Sequence, residues 1–191
     1  NQFTSPISPL ATTIYKFFII DTTEVNGIPA VNLAFTPRNK SEFAFTGNLF
    51  IANDSTFNII KVSLGLPKQV NINFVKDLLL EQEFTQYHDS IWMVSKEKLI
   101  IDYNFTNKGR GFFGKRNVYY NNIKFNEEQT DSIYNPIEKI IKVEDNNNKD
   151  DTFWAEARPD TLTKNEKGVY VMIDSIQNIR AYKRFMDVAF L

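Results

Sequence analysis

The sequence predicts a mainly β chain: a curved antiparallel sheet or half-barrel followed by a C-terminal amphipathic helix. Three observations carry that prediction. Apolar residues alternate with polar or small ones on the arms between Val31 and Leu64 (Val31, Leu33, Phe35; Phe43, Phe45, Leu49, Ile51), the period of a strand with one buried face. Turn-forming residues interrupt those arms at Pro37-Arg38-Asn39-Lys40-Ser41 and at Asn53-Asp54-Ser55. Beyond Pro159 the apolar spacing changes to three and four, the period of a helix with one buried stripe.

Taken in order, Asn1 to Leu10 carry Pro6 and Pro9 and read as an extended lead-in. Thr13 to Thr23 form a strand apolar on both faces, and Asn26-Gly27 tolerate the positive φ that returns the chain into Val31–Thr36 as a hairpin. The Val31–Leu64 meander follows. From Gln69 to Tyr87 helix and strand compete, because Leu, Glu and Gln favour helix, and the neighbouring strands decide for a strand pair. Further strands are expected within Ile91–Phe105 and at Val118–Phe125, about eight to ten in all by counting runs. Residues 127–151 read as a flexible acidic connector with a short edge strand at Ile137–Val143. Thr163 and Glu166 form a capping box that opens a helix over 163–189, with Val169, Met172, Ile173, Ile176, Ile179 and Tyr182 as its stripe.

Composition narrows the function classes. A chain of 191 residues is long enough for one well-buried β-rich domain spanning 1–191. A net charge of -1 provides no field to draw in nucleic acid. The absence of cysteine excludes disulfides and thiol chemistry. No apolar run is long enough to span a bilayer as a helix. The start at Asn1 and the apolar end Val188-Ala189-Phe190-Leu191 read as a segment of a longer protein. The 17 phenylalanines and 8 tyrosines exceed what a thin two-layer domain needs for its own core, which is where a binding surface arises.

No motif reaches a catalytic constellation. Gly109-Arg-Gly-Phe-Phe-Gly114-Lys115-Arg116 approaches the phosphate-cradling loop, but Arg116 stands where the magnesium-binding hydroxyl belongs and a strand follows instead of a helix. A glycine-rich hairpin accounts for it. His88 is the only histidine, and its neighbours Asp89 and Ser90 point to opposite sides of an extended chain, so a turn histidine is expected. Asp21, Glu81, Glu83, Asp102 and Asp174 supply carboxylates for a hydrolase only if two converge across a cleft; solvated strand faces are the ordinary account of most, and a salt bridge that of Asp174 among the helix's apolar stripe. The acidic run 144–151 lacks the spacing and glycine of a calcium loop. Asn39, Asn53 and Asn104 fit the glycosylation acceptor pattern by chance in an asparagine-rich chain, and Trp92 and Trp154 read as packing anchors.

Several stretches together resemble a known family: Ile14-Tyr-Lys-Phe-Phe-Ile-Ile-Asp-Thr-Thr23, Asn32-Leu-Ala-Phe-Thr-Pro-Arg38, Phe43-Ala-Phe-Thr-Gly-Asn-Leu-Phe-Ile51, Asn71-Ile-Asn-Phe-Val-Lys-Asp-Leu78, and Phe153-Trp154 with Arg158-Pro159. They resemble an uncharacterised domain of large cell-envelope proteins of Bacteroidota, lying between a carboxypeptidase-regulatory-like domain and an outer-membrane β-barrel. The strand pattern is also similar to the half-barrel of periplasmic lipoprotein carriers. The resemblance implies a location on the periplasmic side of the outer membrane, adjacent domains of the same protein as neighbours, and no transferable catalytic residue. The expected function is non-catalytic and without cofactor or metal: binding of a lipid, a lipoprotein or another protein on an apolar, concave sheet face. Tyr15, Phe17, Leu33, Phe35, Phe45, Leu49 and Tyr103 are the expected wall. The competing expectation is a structural spacer in which the same residues are dry core; a carboxylate hydrolase is the third.

Overall fold

The hairpin that starts the sheet depends on two residues with left-handed backbone, Asn26 (φ 51°) and Gly27 (φ 80°), the pairing that lets a two-residue turn follow the right-handed twist of its strands. The computed structural model describes residues 3–39, 42–70, 72–88, 90–104, 111–128 and 149–189. They belong to two compact units, Asn1–Asn126 and Glu127–Leu191.

The first unit is an open seven-stranded meander: β1 (Tyr15–Val25), β2 (Ile28–Pro37), β3 (Thr46–Ala52), β4 (Ile59–Gly65), β5 (Val75–His88), β6 (Ile91–Tyr103) and β7 (Phe112–Tyr119). Each strand pairs antiparallel with the next, and the sheet order is the chain order. A four-residue helix, α1 (Ala11–Ile14), precedes β1. The sheet does not close into a barrel, so β1 and β7 are its edges. The strand pair expected over 69–87 is one 14-residue strand, and the runs within 91–105 are one 13-residue strand, which brings the count among the described residues to seven. The mixed Leu/Glu run is a strand because its charges meet partners across the sheet at period two, as shown below. The edge strand expected at 137–143, and most of the connector, lie outside the described residues.

Register sorts the side chains onto two faces. On one, Phe17 faces Phe35, Leu33 faces Leu49, Leu49 faces Val62, and Leu64 faces Leu80. The other carries Asn32, Asn48, Lys61, Glu81, Glu83 and Lys98. Ile20 is an extra residue in β1, since Ile19 pairs Leu33 while Asp21 pairs the adjacent Asn32. This β-bulge bends the edge strand. The sequence of β1, apolar on both faces, resembles a central strand, yet at the sheet edge Phe18, Ile19 and Ile20 are exposed.

The core lies on the apolar face of β1 to β4. Tyr15, Phe35, Leu49, Val62 and Leu64 are buried there with Ala11 of α1 and Ala44, and Ile14, Phe17, Leu33, Phe45 and Leu80 pack around them. Tyr15 fastens the covering segment: its hydroxyl donates to the Thr4 carbonyl and accepts from the Phe45 N–H at 3.1 Å. Burial pushes that hydroxyl's pKa up against the opposing Phe45 bond, and Glu42 adds to the rise. Gly47 is required where β3 pairs closely with β4: at φ 156° a Cβ would stand 1.9 Å from the Ser63 carbonyl oxygen. A second cluster, Ala30, Ala52 and Ile60 with Val25, Ile28, Phe50 and Trp92, lies near the β1–β2 turn.

The second unit holds α2 (Asp151–Ala157), α3 (Lys164–Gln177) and α4 (Arg180–Ala189). Asp150 caps α2, its carboxylate accepting from the Phe153 N–H at 2.9 Å. The predicted capping box opens α3: the Thr163 hydroxyl accepts from the Glu166 N–H and the Glu166 carboxylate accepts from the Thr163 N–H at 2.9 Å. The single helix expected over 163–189 is two, divided at Asn178. Both the backbone N–H and the side-chain amide of Asn178 donate to the Asp174 carbonyl, at 3.1 and 2.9 Å. Such a short polar side chain competes with the helical ladder and ends it.

Candidate functional site

The apolar face continues past the core onto β5, β6 and β7, where no residue is buried. Leu80 faces Leu99, Leu78 faces Ile101, and Tyr103 faces Phe112. The Tyr103 and Phe112 rings lie 5.1 Å apart, and Gly114 lies beside the Tyr103 ring. Leu78, Leu80, Leu99, Ile101 and Tyr103 are half-buried, whereas Phe112 is 56 % exposed. These side chains form a partly buried aliphatic strip with an aromatic end.

A polar trio marks the opposite limit of the strip. Gln82 donates to Glu97 at 2.9 Å, and Arg116 meets the other Glu97 oxygen at 2.6 Å. The Gln82 bond, with Arg116 behind it, holds the Glu97 carboxyl below the ordinary carboxylate range despite some desolvation. The reverse side of the same strands is a charge ladder. Lys61 stands 3.4 Å from Glu81 and 3.5 Å from Glu83, and Lys98 is 3.0 Å from Glu81. Desolvation would raise the Glu81 pKa, but the bond from Lys98 and the charge of Lys61 outweigh it and lower the value. These carboxylates are paired cross-strand partners, and among the described residues no three His, Asp or Glu side chains gather as metal ligands.

The sheet bends toward the charged side at the end that carries the β1–β2 turn. Asn26 donates to Glu83 at 3.5 Å, although a flat sheet would hold β2 and β5 about 14 Å apart at the usual strand spacing. The concave side there is the polar one, whereas the sequence placed the concavity on the apolar face.

Of the seven expected wall residues, Tyr15, Phe35 and Leu49 are buried in the core, and Phe17, Leu33 and Phe45 pack against it. Tyr103 alone belongs to the partly buried strip. Sequence reasoning did not single out Leu78, Leu80, Leu99 and Ile101. Their period-two spacing was the available signal, and the covering of β1 to β4 by the N-terminal segment, which leaves the later strands, had none. His88 is an exposed residue at the end of β5, and Gly114-Lys115-Arg116 lie within strand β7. The second unit has an open cleft lined by Trp154, Arg158, Leu162, Lys167, Tyr170, Val171 and Asp174, in which the Arg158 guanidinium stands 5.0 Å from the centre of the Tyr170 ring.

Residues 1–123 match the family described as "Family of unknown function (DUF5686)". The chain belongs to that family. No curated protein and no solved structure matches the chain.

Proposed function

We propose that the β unit is a non-catalytic binding module that takes an acyl chain on the apolar strip of β5 to β7, as the periplasm-facing part of an outer-membrane-associated protein. The observation that carries this reading is that the apolar alternation continues onto strands with no buried residue, so that Leu78, Leu99 and Ile101 stay only partly buried next to Leu80 at the margin of the core. A contiguous apolar patch on a soluble unit marks a place of contact. The lining argues for an aliphatic ligand, because protein hot spots are rich in Trp, Tyr and Arg and this strip is mostly Leu and Ile. The envelope location is supported by the resemblance of the stretches quoted above. Both catalysis by carboxylates and recognition of nucleic acid lack support from the paired ladder and the net charge of -1.

Binding of a fluorescent fatty acid to the purified chain, with its displacement by unlabelled acyl lipid, tests the reading. Leu99→Glu or Ile101→Glu is expected to weaken binding at least about tenfold, since each side chain contributes more than about 1.4 kcal/mol when buried against hydrocarbon. Ser63→Thr on the other face is expected to leave binding unchanged. Absence of binding, or binding that ignores the glutamates, overturns the acyl reading. The second reading, a structural spacer, is favoured by the complete burial of Tyr15 and Phe35.

A further inference from the structure

We infer that α3 and the start of α4 form a docking surface for an anionic lipid bilayer, with the helices lying along the membrane plane. The inference stands on the second unit alone and does not depend on acyl binding by the sheet. No residue of α3 is buried. Val169, Met172, Ile173 and Ile176 recur at three and four, on one side of the helix, and are 40 to 53 % exposed. A four-residue stripe of this kind on a water-facing helix is unusual, because helical stability in proteins comes mainly from packing such a face.

Charge decides what covers it. Residues 175–186, from the end of α3 into α4, have three basic residues and no acidic one, a net of +3 within a chain of net -1. Arg180, Lys183 and Arg184 recur at three and four on one side of α4, directly after the exposed Ile179. Apolar side chains beside a cationic stretch are complementary to the interface of an anionic membrane, where hydrocarbon and phosphate meet. The 14 residues of α3 extend about 21 Å, short of the roughly 30 Å hydrocarbon core; the helix therefore lies on the bilayer and does not cross it.

The experiment is co-sedimentation of the whole chain with vesicles of phosphatidylglycerol and phosphatidylcholine, and with phosphatidylcholine alone. Binding is expected to the anionic vesicles only and to fall as salt rises. The triple variant Arg180→Gln/Lys183→Gln/Arg184→Gln is expected to lower affinity on the order of a hundredfold, as about fivefold for each cation near an anionic surface gives. Met172→Glu is expected to abolish binding to the anionic vesicles, while Ser63→Thr in the sheet leaves vesicle binding intact. Circular dichroism shows whether Met172→Glu keeps its helix, and the triple variant, at exposed positions, decides the matter if it does not. Equal binding to neutral vesicles, an unchanged triple variant, or no binding to either vesicle overturns the inference, the last assigning the stripe to a protein partner.

Discussion

Replacing Tyr15 by Phe removes one oxygen from the centre of the β unit and keeps the ring. The ring still fills its place beside Phe35, 5.4 Å away and edge-on, so packing changes little. Two bonds are lost: one to the Thr4 carbonyl and one from the Phe45 N–H. At a net of roughly 0.5–1.5 kcal/mol for each bond, with more if a backbone group stays dry and unpaired, the cost is about 2–3 kcal/mol. That corresponds to a fall in melting temperature of about 10 °C for a unit of this size. Urea unfolding followed by fluorescence of Trp92, which packs against the second cluster of the same unit, measures it. Exchange of the Phe45 amide should quicken by at least about tenfold, because its acceptor is gone. Alkali provides a second check. The Tyr15 pKa is raised in the folded state, so its contribution is complete below the ordinary tyrosine value of about 10 and is lost as pH rises through the folded value. The gap between wild type and Tyr15→Phe should therefore narrow above pH 10. A stability loss under about 0.5 kcal/mol, with Phe45 exchange unchanged, would refute the role assigned to Tyr15 as the fastener of the N-terminal segment.

Gly47→Ala should destabilise the β unit by about 3 kcal/mol or more, since the new Cβ meets the Ser63 carbonyl oxygen at 1.9 Å; a near-neutral result in thermal unfolding would show that β3 and β4 separate freely there. Glu81→Gln should cost about 1 kcal/mol at neutral pH, the discounted value of a partly exposed pair with Lys61 and Lys98. Because the Glu81 pKa is lowered in the fold, the wild-type contribution is present above the ordinary glutamate value of about 4.3 and disappears as pH falls through the folded value; acid titration of stability should be flatter for the variant. Thr163→Ala should remove about 1 kcal/mol from α3, seen as lower helicity by circular dichroism with the unfolding of the β unit unaltered.

The strands were legible wherever one residue in two is apolar, as in Leu33, Phe35, Leu49 and Ile51, because the period of the chain and of the sheet coincide. The Asn26-Gly27 turn and the Thr163–Glu166 box were legible because their chemistry is local. Three features were not. Leu78-Leu79-Leu80 followed by Glu81-Gln82-Glu83 has helical propensity, and only the register that places Glu81 between Lys61 and Lys98 makes it a strand. The apolar pattern of β1 suited a central strand, and nothing local signals an edge. Which half of the apolar face is covered depends on Tyr15 reaching back to Thr4 and across to Phe45, contacts 11 and 30 residues apart in sequence; six of the seven expected wall residues therefore belong to the core or its margin.

Ile20 has a consequence for how the molecule behaves in company. Removing it would leave every partner of β1 on β2 in place, since Leu33 and Asn32 are already adjacent, and would straighten the outermost strand into a flat template flanked by the exposed Phe18 and Ile19. Flat greasy borders recruit other chains and seed fibrils. The surplus residue bends this border, and deleting Ile20 is expected to raise the turbidity of the chain relative to the intact one.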